Sequence, residues 1–476
     1  MKVLYIASEA LPFAASGGLA DVAGSLPREL RRRLCGARVV LPLYEAVPQE
    51  LRDRMQFLTS FSVPVAWRRQ YCGVFEAKYD GVIYYLLDNQ YYFKRQGLYG
   101  HYDDAERFAF FSRAVLEMLP KIGFQPDILH ANDWQSALVP IYHSLFYVHD
   151  PFYLGMKTVY TIHNIQYQGK YGMELLEDVF GIPRSQTQIV ELDGCINLMK
   201  GAIETAHVVT TVSPTYAKEI LDPWFAHGMD GILRARQWKL QGILNGIDTK
   251  LYNPETDPVL AARYTAENPS GKAEDKAALQ REVGLPEQPE VPLLAMVSRL
   301  VEHKGLDLVR DVLDRLLQEN EMQCVVLGSG DWQYEEFFRQ AQERHPDRLR
   351  YVQGFFPELA RRVYAGTDLF LMPSQSEPCG LAQMVACRYG TLPIVRETGG
   401  LKDSIRDCGD GQGNGFTFKT YNAGDMRYAV ERALGAYRCP EIRAELVRRA
   451  MECDFSWGRS AAEYMRLYRS LLKPEA

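Results

Sequence analysis

The strongest constraint on this chain is an alternation that runs its whole length. Short apolar β-type runs are each followed by a polar or glycine-bearing turn and then by a segment of helical period, the signature of parallel α/β architecture. Residues 2–8 and 38–41 read as strands, with a helix over 19–33 between them. Residues 71–88 read as a hairpin turning at Asp80-Gly81. Residues 105–122 have helical period. Strands over 126–130, 157–162 and 208–212 then run into Asn132-Asp133-Trp134, His163-Asn164 and Ser213-Pro214. The scheme repeats in the second half. Strands over 291–297, 323–327, 349–352 and 369–372 end in Ser298-Arg299, Gly328-Ser329-Gly330-Asp331, Gln353-Gly354 and Pro373-Ser374, and 306–319 is an amphipathic helix. In open α/β sheets ligands bind at the carboxyl ends of strands, so these turns hold the candidate site.

Residues 253–292 are rich in Pro, charge and small side chains and read as a boundary or surface excursion, with 242–248 as a hinge before it. The expected division is 1–243, 244–455 and a C-terminal segment 456–476. Ala461, Tyr464, Met465, Leu467, Tyr468 and Leu471 fall at helical spacing, which predicts a docked C-terminal helix over 456–472.

Composition then removes whole classes of function. With 54 Lys+Arg against 60 Asp+Glu the net charge is −6, the wrong balance for coating nucleic acid. No apolar run reaches the roughly 18 residues that span a bilayer. Nine cysteines, an odd number with no CxxC pair, form neither a disulfide framework nor a zinc ribbon. Glu9 and Pro12 interrupt the opening apolar run before it resembles a signal peptide, and reduced cysteines suit a cytoplasmic protein.

Three local features carry chemistry. Ser16-Gly17-Gly18-Leu19-Ala20-Asp21 follows the first strand and opens a helix, where backbone N–H groups can meet an anion; a tight strand-to-helix turn explains the two glycines equally. Neither this segment nor Gly328-Ser329-Gly330 is a GxGxxG fingerprint. Arg299 and Lys304, at one strand terminus, suit a diphosphate: a planar fork and a point charge. Glu377-Pro378-Cys379-Gly380-Leu381 is the sharpest feature: its carboxylate suits sugar hydroxyls, and a helix starting at Gly380 exposes N–H groups to phosphate. Cys379 has no His close in sequence to activate it, so it reads as a small residue in a crowded turn. Asp133 and His163 join the set at strand ends, with His130 beneath. No HExxH and no Asp-x-Asp occurs, so no metal site is expected.

Taken together, these segments resemble the bacterial glycogen/starch synthases, retaining glucosyltransferases with the GT-B fold. The resemblance runs almost end to end and is carried by Ser16-Gly17-Gly18-Leu19-Ala20-Asp21-Val22, His130-Ala131-Asn132-Asp133-Trp134, Thr161-Ile162-His163-Asn164, Asn245-Gly246-Ile247-Asp248, Ser298-Arg299-Leu300 with Lys304-Gly305-Leu306-Asp307, Glu377-Pro378-Cys379-Gly380-Leu381, and Gly390-Thr391-Leu392-Pro393 with Thr398-Gly399-Gly400-Leu401. It implies two doubly wound Rossmann-like domains facing each other across a cleft, with the C-terminal helix returning to the first. It implies transfer of glucose from ADP-glucose to the non-reducing end of an α-1,4-glucan such as glycogen, with retention and without cofactor or metal. Arg299, Lys304, Glu377 and His163 would be catalytic. Gly17, Gly18, Asp21, Asn245, Cys379, Gly380 and Leu381 would bind the donor, and Asp133 and Asn164 the acceptor. One position departs: the family commonly has Lys two residues before the Gly-Gly pair, and this chain has Ala15, which puts donor contact in question. The competing readings are a GT-B transferase using UDP-glucose, a non-catalytic glucan- or nucleotide-binding protein, and a phosphorylase with a Lys-bound pyridoxal cofactor.

Overall fold

Val3, Leu4, Tyr5 and Ile6 are all fully buried, a run without alternation that only a strand covered on both faces permits. In the computed structural model, which describes residues 1–473, this strand lies at the centre of the first of two sheets built on the same plan. The chain divides into two compact units. Met1–Val212, Ala217–Ile243 and the C-terminal helix Trp457–Leu471 belong to the first, Ser213–Tyr216 and Leu244–Ser456 to the second.

The strands of the first unit are β1 (Lys2–Ile6), β2 (Gly36–Pro42), β3 (Gln56–Val65), β4 (Arg68–Tyr79), β5 (Val82–Asp88), β6 (Ile128–Asn132), β7 (Lys157–Ile162), β8 (Lys170–Tyr171), β9 (Glu191–Leu192), β10 (Cys195–Asn197), β11 (Val208–Thr211) and β12 (Leu240–Gly242). Among the described residues they form a nine-stranded sheet of order β12-β11-β7-β6-β1-β2-β5-β4-β3 and a small sheet β8-β10-β9. The large sheet is parallel except where β4 pairs antiparallel with both β3 and β5. Strand order reverses between β1 and β6, so the carboxyl ends of these two strands flank the crevice where such sheets take ligands.

The second unit holds β13 (Leu293–Val297), β14 (Gln323–Gly328), β15 (Leu349–Gln353), β16 (Leu369–Met372), β17 (Leu392–Arg396) and β18 (Phe416–Phe418) in the all-parallel order β15-β14-β13-β16-β17-β18. Here the switch point lies between β13 and β16, and Arg299 and Ser374 follow those two strands.

The C-terminal helix packs on helix Gly18–Arg32 of the first unit. It buries Ala461, Tyr464, Met465 and Tyr468, and the Tyr468 hydroxyl meets His130 Nδ1 at 2.6 Å. His130 Nε2 meets Thr161 Oγ1 at 2.6 Å, so this histidine ties the helix to the sheet beneath the strand ends.

The structure departs from the sequence reading in three places. The hairpin gains a third strand, β3, whose Pro64 is tolerated because β3 is the sheet edge. The strands β8, β9 and β10, two or three residues long, are too short to show a period. The stretch 253–292 is not only a surface excursion. It contains helix Gly271–Val283, whose Lys272 and Lys276 donate into the second unit's interior. Its charged composition hid a helix that buries ammonium groups against carbonyls and Asp368.

Candidate functional site

In the first unit, β6 ends at Asn132 and the chain turns at Asp133, which takes φ 54° and ψ −178°. A positive φ at a non-glycine residue is strain that only surrounding structure can hold, and such strain clusters at functional sites. The hold is visible: Asp133 Oδ1 accepts the His163 N–H at 2.8 Å, and the carboxylate also accepts from the Asn164 backbone. The loop after β7 is thus fastened to the loop after β6. Burial pushes the Asp133 carboxyl up to about 7, with the charge of Glu9 adding to it.

Asn132 fixes the state of His163. Its Nδ2 donates to Ile6 O at 3.0 Å, so its Oδ1 is the acceptor for both Tyr5 Oη, at 2.9 Å, and His163 Nε2, at 2.8 Å. His163 therefore carries its proton on Nε2 and leaves Nδ1 as an acceptor. Burial pushes its pKa down to about 3, so the ring is neutral at physiological pH. His130 is pushed equally far down, by burial first and His163 second, and packs underneath. Asn164 is half-buried and accepts from the Gln166 N–H at 3.0 Å.

These shifts make a prediction. The unfolded-state Asp133 ionises near pH 4 and the folded one near 7, so the folded state loses stability as pH rises between them, and the cost persists above. Asp133→Asn is expected to stabilise the protein by about 1–3 kcal/mol at pH 8, with the gain fading towards pH 4, and to lower activity. Equal thermal midpoints for variant and wild type at pH 8 would show that the carboxylate is not strained by burial.

At the other side of the switch point lies Gly17-Gly18, the expected anion site. Helix Gly18–Arg32 does begin there, and Gly17 has no capping side chain. The residue that fills the helix end is Glu9, only 3% exposed, which the sequence reading used merely to exclude a signal peptide. Glu9 Oε2 accepts the Ser16 N–H and the Ser16 hydroxyl, each at 2.6 Å, and the carboxylate also accepts from the backbone of Gly17 and Ala20. Burial pushes its carboxyl up despite these bonds. The Glu9 carboxylate thus takes the Ser16, Gly17 and Ala20 N–H groups of this helix end. Gly18 is exposed, with open space where a Cβ would be. Ala15 is exposed and Asp21 sits in the first turn of the helix.

In the second unit, Lys304 Nζ donates to Glu377 Oε2 at 2.7 Å, and Ser374 Oγ donates to the same oxygen at 2.9 Å. Burial pushes the Glu377 carboxyl up, but the charge and hydrogen bond of Lys304, with Ser374, outweigh it and hold the group below the usual carboxylate range. Lys304 is therefore not a loose surface cation. Arg299 is exposed and makes no ion pair among the described residues, so the two cations differ in kind. Gly380 takes φ +68°, a left-handed turn, so the next helix starts at Ala382 and not at Gly380 as the sequence suggested. Burial pushes the Cys379 thiol up to about 12, which leaves it unreactive. Asn245, in contact with Cys379 through its backbone, is 6% exposed, and its Oδ1 is buried without a hydrogen-bond partner. An orphaned buried acceptor beside the loop is what a ligand donor would satisfy.

The sequence reading also passed over Phe355 and Phe356, 68% and 50% exposed, which follow β15 at the carboxyl edge of the same sheet. Their signal was available: two aromatics directly after a strand-ending Gly354. Among the described residues no group of three or more His, Cys, Asp or Glu is arranged to hold a metal ion, and no helix is long and apolar enough to cross a membrane.

Two doubly wound units, with a buried carboxylate–lysine pair at the switch point of the second, are the architecture of glycosyltransferases of the GT-B type, and comparison with known proteins shows that this chain is one. Residues 2–235 match the starch synthase catalytic domain, and residues 277–452 match the glycosyl transferases group 1 family. Glycogen synthase of Geobacillus thermodenitrificans is 52% identical over 100% of this chain and 99% of its own length, and that of Bacillus cereus is 48% identical over 99% and 100%. The catalytic domain of starch synthase IV from Arabidopsis thaliana, bound to ADP and acarbose, matches with a TM-score of 0.91 at 36% identity, covering 99% of each chain. Sucrose-phosphate synthase from Thermosynechococcus elongatus, at 17% identity and a TM-score of 0.62, shares the fold. The chain belongs to the glycogen/starch synthase family.

Proposed function

We propose that the protein is a glycogen synthase that transfers glucose from ADP-glucose to the non-reducing end of an α-1,4-glucan, with retention at the anomeric carbon and without a metal ion. The observation that carries this is the Lys304–Glu377–Ser374 cluster at the switch point of the second sheet, with the exposed Arg299 beside the same strand ends. Arg299 and Lys304 offset the charge that develops on the departing diphosphate, the electrostatic contribution that dominates most such reactions. Lys304 and Ser374 both bond Glu377 Oε2, and Glu377 uses its remaining acceptor capacity for glucose hydroxyls. The Gly380 and Leu381 N–H groups take phosphate or sugar oxygens, Asn245 Oδ1 accepts from the donor, and Cys379 only packs. The exposed rings of Phe355 and Phe356 offer the base a stacking face.

The first unit serves the acceptor. Neutral His163 presents Nδ1 to a sugar hydroxyl near the anomeric carbon, and Asp133 and Asn164 shape the loop that holds the glucan. Gly17, Gly18 and Asp21 are its contribution to donor binding, with Gly18 the glycine in open space. All nine cysteines are unpaired, which supports work in the reducing cytoplasm.

The test offers labelled ADP-glucose and UDP-glucose separately with glycogen, with and without EDTA, and counts label in polymer. Incorporation from ADP-glucose, unchanged by EDTA, is expected. Incorporation from UDP-glucose alone, or none from either, rejects the proposal, as does a pyridoxal absorbance that tracks activity.

A further inference from the structure

Thr398-Gly399-Gly400-Leu401 has no role in the chemistry above, yet the structure sets it against the loop that does. Helix Gly399–Ser404 approaches Glu377–Cys379 so closely that a Cβ on Gly399 would lie 1.9 Å from Glu377 O and one on Gly400 2.0 Å from Cys379 O. In that space the Gly400 N–H donates to Glu377 O at 3.1 Å and Pro378 O at 3.2 Å. Gln383, 0% exposed, holds the loop at its next two residues. Its Nε2 donates to Cys379 O at 3.1 Å and Gly380 O at 3.0 Å, and contacts Ser404 Oγ at 3.0 Å. Ser404 Oγ in turn donates to Gly400 O at 2.6 Å. The amide orientation follows from these partners, since flipping it would set Oε1 against two carbonyls. Oε1 is left buried with no hydrogen-bond partner, a cost that a purely structural glutamine has no reason to carry.

Peptide planarity turns this contact into a statement about the ligand side. In a trans peptide the C=O and the following N–H point in opposite directions. With the Cys379 and Gly380 carbonyls both drawn to one amide, the N–H groups of Gly380 and Leu381 are aimed away from it. Among the described residues neither N–H, both lying before the helix that starts at Ala382, has a backbone acceptor. We propose that Gln383 is the positioning residue of the donor loop: a single buried carboxamide, oriented by Ser404, that fixes both peptide planes so that the Gly380 and Leu381 N–H groups are presented on the side away from it, to the anionic oxygens of the nucleoside diphosphate. The proposal rests on the donor reading above and adds to it the residue that sets the loop's geometry from inside the unit.

The experiment measures ADP affinity by calorimetry, the Michaelis constants for ADP-glucose and glycogen, and thermal unfolding. It uses the full chain and Gln383→Met, which keeps the volume and loses the donor, and Gln383→Glu, which is isosteric but sets a carboxylate against carbonyls. ADP binding and donor KM are expected to weaken at least tenfold in both, with glycogen KM within twofold of wild type. Gln383→Glu is expected to recover part of its ADP affinity as pH falls, because a protonated carboxyl regains one donor. Ser404→Ala, a smaller change, is expected to weaken ADP two- to fivefold and serves if the Gln383 variants do not fold. ADP affinity within twofold of wild type in a folded Gln383→Met, or unchanged in Ser404→Ala, overturns the proposal. Failure of the wild-type chain to bind ADP at all would instead reject the nucleotide-sugar reading.

Discussion

Lys304→Ala and Arg299→Ala are each expected to lower turnover by about 10²–10³-fold, a barrier increase of ~2.7–4 kcal/mol, the cost of removing one preorganised electrostatic stabiliser. The two variants part company in stability. Arg299 is exposed and makes no ion pair among the described residues, so its loss leaves the fold untouched. Lys304 is bonded at 2.7 Å to Glu377, which is 7% exposed. Its removal leaves a buried carboxylate with Ser374 as its remaining side-chain donor, at a cost of about 1–3 kcal/mol. Adding Glu377→Gln to Lys304→Ala is expected to restore most of that stability and none of the activity. Turnover assays paired with thermal unfolding test both halves. Near wild-type turnover in the Arg299 variant would remove it from the chemistry, and an unshifted midpoint for Lys304→Ala would show that the pair is electrostatically idle.

The second large effect is on folding. Lys276, on helix Gly271–Val283, has Nζ within 3.0 Å of Pro289 O, Val291 O, Asp368 Oδ2 and the Tyr437 hydroxyl. Asp368 Oδ2 also accepts the Leu293 N–H at 2.8 Å, where β13 begins. One buried ammonium therefore joins the helix, the start of the central strand and the residue before β16. Breaking a buried pair by removing one partner costs about 3–5 kcal/mol, because the other charge stays behind unpaired. Lys276→Met is expected to lose that much in denaturant unfolding, and Asp368→Asn added to it to recover part. A wild-type midpoint for Lys276→Met would mean that the second unit does not depend on this pin. Activity per folded molecule is expected to hold, since the pin lies at the amino ends of the strands and Arg299, Glu377 and Gly380 at the carboxyl ends.

Much of the architecture was legible in the chain itself. Continuous apolar runs such as Val3–Ile6 have one stable setting, a strand covered on both faces, and helical period between them forces parallel crossovers. That alone places Asp133, His163, Arg299 and Glu377 at strand carboxyl ends. Short strands such as β8 carried no period to read, and a helix holding Lys272 and Lys276 looked solvent-exposed because charge in a sequence says nothing about who compensates it.

The sequence by itself determined which residues stand at the ligand edge of each sheet, because strand boundaries are local and follow from hydrophobic patterning. Only the tertiary structure decided what those residues do to one another. Lys304 and Glu377 are 73 residues apart and become an ion pair because β13 and β16 are neighbours across the switch point. Glu9 occupies a helix end seven residues on, and Gln383 anchors the loop four residues before it, through turn geometry that hydrophobic patterning does not report. Burial turned Lys304 from a surface charge into a partner, because a charge leaves water only where another group replaces the solvent it loses, and that group is supplied by the fold.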